Sequence, residues 1–299
     1  MKKIKSPLNY IGGKYKLLEQ ILPLFPKDIN TFVDLFSGGG NIGININAKN
    51  IIFNDNLTYL IDLFKELQSK DIEYTIHYIE KMIKKYNLSK TNEEGYKKFR
   101  DYYNSTKYSL DLFILVAYSF NHQIRFNNNH KFNNPFGRNR SSFNNSMKLN
   151  LKKFILELKS KNIEFQNLSF ETFNFSELTK NDFVYCDPPY LITTGSYNDG
   201  KRGFKGWSEK EEIELLDLLR SLDENGIRFA LSNVIYHKGK ENIILKEWLN
   251  NNNFNLNYLK KNYSNSNYHT KIREKNGSLE VLITNYIQPK LLQPKLFNF

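Results

Sequence analysis

The sequence predicts an α/β protein, a doubly wound mixed sheet interrupted by a mainly helical insertion that carries a β-hairpin. Three observations point to it. The apolar run Thr31-Phe32-Val33-Asp34-Leu35-Phe36-Ser37 passes into Gly38-Gly39-Gly40-Asn41-Ile42-Gly43, and a second run, Ile51-Ile52-Phe53, ends in Asn54-Asp55. A third, Phe183-Val184-Tyr185-Cys186, ends in Asp187-Pro188-Pro189-Tyr190. The residues between the second and third runs read first as helices and then as an amide- and arginine-rich hairpin. The expected division is one α/β domain from residues 1–56 with 160–288, an inserted domain at 57–159, and a tail at 289–299.

Composition bounds the possibilities. At 299 residues the chain can bury a large core, as one large or two modest domains. Lys and Arg number 43 against 31 Asp and Glu, a formal charge of +12. That balance favours a polyanionic partner, nucleic acid before membrane, because no basic amphipathic helix or long apolar span is visible. Cys186 is the single cysteine, which excludes an internal disulfide and a cysteine-cluster metal site and suits a reducing, cytoplasmic location. The basic start Met1-Lys2-Lys3-Ile4 runs into Pro7 without an apolar stretch, so no signal peptide is expected. His77, His122, His130, His237 and His269 lack ligand spacing, so no metal is expected. Neither a P-loop nor a nucleophile-elbow serine is present.

In chain order, Ser6-Pro7-Leu8-Asn9-Tyr10-Ile11-Gly12-Gly13-Lys14 precedes Leu17, Leu18, Ile21 and Leu22 at helical spacing. A glycine pair lets backbone approach a ligand closely, and Lys14 falls near the positive end of that helix, ready for a carboxylate or phosphate. A solvated lysine in a terminal turn fits those residues equally well. The glycines at 38, 40 and 43 fit G-x-G-x-x-G after a strand and before an expected helix. With Asp55 at the tip of the next strand, placed to accept both hydroxyls of a ribose, these elements describe the nucleoside-binding half of a doubly wound sheet.

Leu60, Leu63, Phe64 and Leu67, then Ile72, Ile76, Ile79 and Ile83, then Phe99 and Tyr103 are core stripes of helices. The run Leu112 to Tyr118 is a buried helix, too short to span a bilayer. Beyond it the composition changes. Phe120, Asn121, Gln123, Arg125 and Asn127 lie on one aromatic-alternating stretch, and Pro135, Arg138 and Asn139 on or beyond another, around the turn Asn128-Asn129-His130. Amide and guanidinium groups make the bidentate contacts that distinguish base edges, and a two-stranded ribbon fits a major groove. An Asn-rich surface loop with no partner is the plainer alternative.

Leu149 to Leu158 reads as a helix and Asn162 to Phe165 as a strand, after which Phe170 is placed beside the nucleoside pocket. Gly195 to Gly206 reads as a lid or DNA-facing loop. Ser208-Glu209-Lys210-Glu211 is a capping box opening an amphipathic helix through Ile213, Leu216 and Leu219. Arg228 to Asn233 and Leu279 to Asn285 are strands. The basic segment Lys260 to Lys275 suits phosphate contact, and the end repeats Gln-Pro-Lys-Leu at 288 and 293.

A carboxylate, two prolines and an aromatic at the end of a buried strand stand where open α/β sheets bind ligands. Proline has a fixed φ and no N–H, so the backbone offers only carbonyl acceptors there. Asp187 and the Pro188 carbonyl can accept both hydrogens of an amino group, and Tyr190 can offer a flat face to the ring that carries it. Such a clamp favours a more pyramidal nitrogen and suits attack by the poor amine nucleophile of adenine or cytosine, with Asp187 ionised. Asp-Pro-Pro by itself is also an ordinary strand-ending turn.

The order Asn9-Tyr10-Ile11-Gly12-Gly13-Lys14, Asp34-Leu35-Phe36-Ser37-Gly38-Gly39-Gly40, Asn54-Asp55, Asp187-Pro188-Pro189-Tyr190 resembles the alpha-group DNA adenine-N6 methyltransferases, which include GATC-type adenine methylases and modification enzymes of restriction systems. The resemblance covers nearly the whole chain. It implies a Rossmann-like catalytic domain with an inserted target-recognition domain, S-adenosyl-L-methionine as methyl donor and double-stranded DNA as substrate. It also implies a cognate restriction endonuclease acting on the same site without a stable complex. Tyr10, Lys14, Asp55 and Asp187 match the family's cofactor-contacting positions. Asp34, Phe36, Gly38 and Gly40 fall in its glycine-loop motif, and Phe170 is counted with the same pocket. Asp187, Pro188 and Tyr190 match the residues that hold the flipped-out base. Phe120, Asn121, Gln123, Arg125, Asn127, Pro135, Arg138 and Asn139 correspond to its recognition ribbon. Gln123 and Asn139 depart from the GATC readers, so the resemblance carries no recognition sequence. Cytosine-N4 methylation needs the same clamp and stays open, as does a DNA-binding protein with a silent cofactor pocket.

Overall fold

The computed structural model describes residues 3–10, 12–193, 207–260 and 277–287. The expectations for Ile11, the 195–206 loop, the basic segment 261–275 and the tail lie outside the described residues.

Strands β1 (Thr31–Asp34), β2 (Asn50–Asn54), β3 (Ile163–Gln166), β4 (Phe183–Cys186) and β5 (Arg228–His237) pair in parallel. Strands β6 (Lys240–Glu241), β7 (Asn255–Leu259) and β8 (Ser278–Thr284) add antiparallel partners. Among the described residues these form one sheet in the order β3-β2-β1-β4-β5-β8-β7, with β6 beside β5. The chain moves outward from β1 through β2 to β3, then returns to the other side of β1 as β4. The order therefore reverses between β1 and β4, and the ends of those strands border a crevice.

The central strands are apolar on both faces because both faces are covered. Phe32, Phe183 and Tyr185 point into one buried cluster, and Val33, Val184 and Cys186 into another. Helices α2 (Thr58–Ser69), α3 (Ile72–Lys85), α4 (Glu93–Thr106), α5 (Ser109–Tyr118) and α6 (Asn145–Ser160) follow the short α1 (Leu18–Ile21). Their buried residues join the first cluster, and α7 (Glu209–Glu224) and α8 (Ile243–Asn250) cover the second. Helix α5 is buried from Leu110 to Tyr118 and is the hub of the helical segment. Each large apolar side chain it sequesters contributes roughly 1.5–3 kcal/mol. Asn92, Asn144 and Asn242 cap α4, α6 and α8 with their side-chain oxygens, and Ser208 with Glu211 forms the expected capping box on α7.

Three expectations need correction. No α-helix follows the glycine loop: residues 35–49 pass to β2 through a single 3₁₀ turn, Gly43–Asn45. The side chain of Asp34 accepts the Gly43 N–H at 3.0 Å and turns the chain back. A Cβ on Gly43 would lie 2.2 Å from Phe53 Cε1, so the loop must lie flat on β2, where a helix cannot fit. On α7, Ile213 is 46% exposed; the buried face is Glu211, Glu212, Leu215, Leu216, Leu219 and Leu222. The 120–140 segment is a bent arm with two isolated antiparallel bridges, Ser119 to Phe136 and Phe126 to Phe132, instead of a continuous ribbon. Its aromatics explain this: Phe126 and Phe132 are buried, with Phe126 stacked on Tyr59 at 4.3 Å, so the arm is bolted to α2 and α4 through side chains. No helix among the described residues is long and apolar enough to cross a membrane.

Candidate functional site

The strand ends deliver carboxylates to one place. Asp34 closes β1, Asp55 follows β2 and Asp187 follows β4. Asp55 and Asp187 line one cleft of about 210 Å³ together with Tyr10, Phe36, Gly38, Phe170 and Pro189. Asp187 also borders a smaller adjoining hollow with Tyr10, Lys14, Asp34, Gly38 and Tyr185. Eight of the predicted site residues thus converge on two connected cavities, although Gly40, Pro188 and Tyr190 line neither.

Backbone amides set the acid at the β2 end. Asp55 Oδ2 accepts the Gly38 N–H and Oδ1 the Leu57 N–H, both at 2.9 Å. Burial pushes its carboxyl up, and those two N–H groups pull it back. Gly38 can turn its N–H inward because its φ is +47°, and its missing side chain leaves room for the Tyr10 ring, 3.0 Å from where a Cβ would be. Asn54 ties the neighbouring loops together, donating to the carbonyls of Leu35 and Leu168 and accepting the Leu168 N–H. Its bonds to Leu168 hold the start of the loop on which Phe170 lies; Phe170 is 5.7 Å from Phe36 and 5.5 Å from Trp207, ring centre to ring centre.

Asp34 is buried and contributes to the floor of the smaller hollow. Burial pushes its carboxyl up to about 8, opposed by the Gly43 N–H and reinforced by the charges of Asp187 and Asp55. It therefore carries a proton near neutral pH and braces the loop as a largely neutral group.

Asp187 uses its two oxygens differently. Oδ1 takes the Lys14 ammonium at 2.7 Å and the Tyr190 hydroxyl at 3.0 Å, while Oδ2 makes no hydrogen bond among the described residues. Burial raises this carboxyl, the Lys14 charge lowers it, and Glu280 raises it again. Lys14, expected near the positive end of a helix, opens the 3₁₀ turn Lys14–Leu17 and gives its ammonium to the Asp187 carboxylate. Tyr190 differs from its expected role as an open platform: it is 8% exposed, and Lys14 Nζ lies 5.0 Å from its ring centre. Pro188 is buried, and it is Pro189 that lines the cleft.

None of the arm residues lines either cavity, and the arm is tied to the loop before Tyr10 where Asn9 Nδ2 donates to the Asn121 carbonyl at 3.2 Å. Phe120 is 41% exposed under the Arg140 guanidinium. Its N–H is held by the Pro135 carbonyl at 2.7 Å. The buried Asn134 side chain grips the carbonyls of Phe120 and Gln123. Gln123 and Arg125 are half-buried. Asn127 spends its side-chain oxygen on the N–H groups of Asn129 and Lys131, and so shapes the turn. Arg138 is ion-paired with Glu93 of α4, and Asn139, with φ 61°, donates its N–H to Lys90.

Sequence reasoning missed Glu280, Trp207 and Glu211. Glu280 is buried on β8, where a lone acid inside Leu279-Glu280-Val281-Leu282-Ile283 was a usable signal. Trp207 and Glu211 line the larger cleft, and Trp207 is fixed by its indole N–H donating to Glu212 at 2.7 Å. No group of three or more His, Cys, Asp or Glu among the described residues is arranged to hold a metal ion.

Comparison with known proteins adds the following. The profile described as D12 class N6 adenine-specific DNA methyltransferase matches residues 10–271. The chain is 57% identical over 283 residues to the type II methyltransferase M.FokI of Planomicrobium okeanokoites, covering 95% of this chain and 43% of that protein. It is 55% identical over 285 residues to the modification methylase StsI of Streptococcus sanguinis, again 95% of this chain and 43% of the relative. It is 25% identical over 252 residues to the DNA adenine methylase of Escherichia coli K12, covering 83% of this chain and 85% of the relative. The chain thus spans under half the length of the first two relatives.

Proposed function

The chain belongs to the D12 class of N6 adenine-specific DNA methyltransferases, and from that premise we propose that it transfers a methyl group from S-adenosyl-L-methionine to N6 of a flipped-out adenine in double-stranded DNA. It would act as the modification half of a restriction–modification system, alongside an endonuclease that acts at the same site. The observation that carries the reading is the shared cleft, lined by Asp55 and Asp187 together with Phe36, Gly38 and Phe170.

These residues fit the cofactor by their chemistry. Asp55 is anchored by one N–H on each oxygen and retains lone pairs for the two hydroxyls of a ribose. Phe36 and Phe170 offer apolar surface for a purine ring. Tyr10 and Gly38 belong to the wall of this pocket, Lys14 and Asp34 line the adjoining hollow, and Gly40 shapes the glycine loop behind them. When bound, the cofactor supplies an electrophilic sulfonium methyl group.

Asp187 Oδ2 and the Pro188 carbonyl accept the two amine hydrogens, and Tyr190 borders the base. That arrangement holds the amine in line and orients its lone pair, so the rate gain comes from positioning and hydrogen bonding. Lys14 keeps Asp187 in the ionised form that the role requires. Residues 1–56 with 160–288 serve as the catalytic domain, and 57–159 as the target-recognition domain. Its arm, with Phe120, Asn121, Gln123, Arg125, Asn127, Pro135, Arg138 and Asn139, is the segment that meets the DNA. The formal charge of +12 supplies the sequence-independent attraction to phosphate.

The test is incubation with duplex DNA and methyl-labelled cofactor, followed by nucleoside mass spectrometry. Labelled N6-methyladenine is the expected product. Label only in N4-methylcytosine would reassign the target base, and label in neither would overturn the reading.

A further inference from the structure

Resting on the function proposed above, we propose that Glu280 is a positioning residue for methyl transfer: through Tyr190 and Lys14 it sets the hydrogen bonding of Asp187 and leaves Asp187 Oδ2 to the substrate amine.

Glu280 lies on β8 and is 2% exposed. Its neighbours in register are Val234 on β5 and Leu259 on β7, so it sits inside the sheet and away from solvent. Its Oε1 lies 3.0 Å from the Tyr190 hydroxyl and 3.4 Å from Lys14 Nζ. Those are the two groups that engage Asp187 Oδ1, at 3.0 and 2.7 Å. A buried carboxylate and a half-buried one therefore share one ammonium and one hydroxyl.

The sharing has consequences because donors are scarce. A tyrosine hydroxyl carries one hydrogen and can serve only one of two carboxylates at a time. Glu280 draws both that hydrogen and part of the Lys14 charge away from Asp187, which keeps Asp187 electron-rich as an acceptor. Without Glu280, Lys14 and Tyr190 act on Asp187 alone and weaken its grip on amine hydrogens. The charge of Glu280 also raises the carboxyl of Asp187, so removing it shifts Asp187 toward lower pH.

The experiment compares Glu280→Gln, Tyr190→Phe and the double variant with the wild-type chain. Glu280→Gln keeps the shape and an acceptor oxygen but loses the charge. The expected result is a kcat about 10- to 100-fold below wild type. Cofactor affinity by calorimetry should stay within about threefold, and the acid limb of the kcat profile should move to lower pH. Because Glu280 acts in part through Tyr190, the loss in the double variant should fall well short of the product of the two single losses. Losses that multiply in the double variant, a wild-type kcat in Glu280→Gln, or an unmoved acid limb would each overturn the assignment. A wild-type chain that neither binds the cofactor nor transfers methyl would overturn the reading of the site itself, which is a different result.

Discussion

The Lys14 ammonium lies 2.7 Å from Asp187 Oδ1 although 173 residues separate the two in sequence. Lys14 is 3% exposed and the Asp187 side chain 16%, so the pair lies largely outside the screening of water. Its removal should therefore be felt twice. Lys14→Met leaves Asp187 and Glu280 facing each other without the shared cation. Breaking a buried pair in this way costs roughly 3–5 kcal/mol, which urea denaturation would read as a lowered midpoint. The same change lets the Asp187 carboxyl rise, since Lys14 is the main group lowering it. The acid limb of activity should then move to higher pH, opposite to Glu280→Gln; an unchanged midpoint and profile would show that the pair is not formed in solution.

Asp187→Ala tests the clamp directly. The residue follows β4 and contributes nothing to the buried face of that strand, which is Phe183 to Cys186. Circular dichroism should therefore remain native. Methyl incorporation should fall by at least about 1,000-fold, consistent with the loss of a principal orienting group. Near-normal turnover in this variant would remove Asp187 from the mechanism.

Much of this site was legible in the sequence, and the reason is local. Asp55 and Asp187 each follow an apolar run, and a strand that ends in an acid places that acid at the sheet edge whatever the order of the strands; Asp34 lies inside its run and is found at the end of β1 only in the structure. The doubly wound sheet followed from apolar runs that pass into a glycine loop or an acid. What was not legible depended on tertiary partners. The absence of a helix after Gly43 is set by Phe53, on another strand. Glu280 joins Lys14 and Tyr190 only because β8 inserts between β5 and β7. The arm looked like a ribbon because Phe126 and Phe132 alternate with polar residues, yet those rings belong to the core beside Tyr59 and Tyr103.

Asp55→Ala should act mainly on cofactor binding. The carboxylate would lose its bonds to a ribose, and hydrogen bonds to a charged group contribute about 1.5–3 kcal/mol, which corresponds to roughly 10- to 100-fold in affinity. Calorimetric titration with S-adenosyl-L-methionine is the measurement. Affinity within twofold of wild type would mean that Asp55 only braces the N–H groups of Gly38 and Leu57.

Asp34 predicts a pH dependence of stability. Its carboxyl stands at about 8 in the folded chain against an ordinary value of 3.8. The folded state therefore keeps a proton that the unfolded chain releases as pH rises above about 4. Stability falls across that interval, by about 1.4 kcal/mol per pH unit from this group alone, and levels off above about pH 8. Asp34→Asn cannot titrate and can still accept the Gly43 N–H. Urea denaturation at pH 5, 6.5 and 8 should show the variant gaining on wild type by at least about 2 kcal/mol over the series. A constant difference between the two would mean that Asp34 is ionised throughout.

Arg138 and Glu93 separate a structural role from a DNA-facing one. They form an ion pair between the arm and α4, with side chains 61% and 33% exposed. Solvent screens an exposed pair of this kind, so Arg138→Ala and Glu93→Gln should each leave thermal stability nearly unchanged. Their effects on DNA should diverge. Loss of a guanidinium that meets DNA costs about 1–3 kcal/mol if it reads a base, and lowers the salt dependence of binding if it meets a phosphate. Glu93→Gln, in contrast, removes the group that competes with DNA for Arg138, so affinity should hold or rise. Fluorescence anisotropy with a labelled duplex at two salt concentrations distinguishes the cases. Equal weakening by both variants would mean that the ion pair sets the shape of the arm and that Arg138 does not touch the duplex.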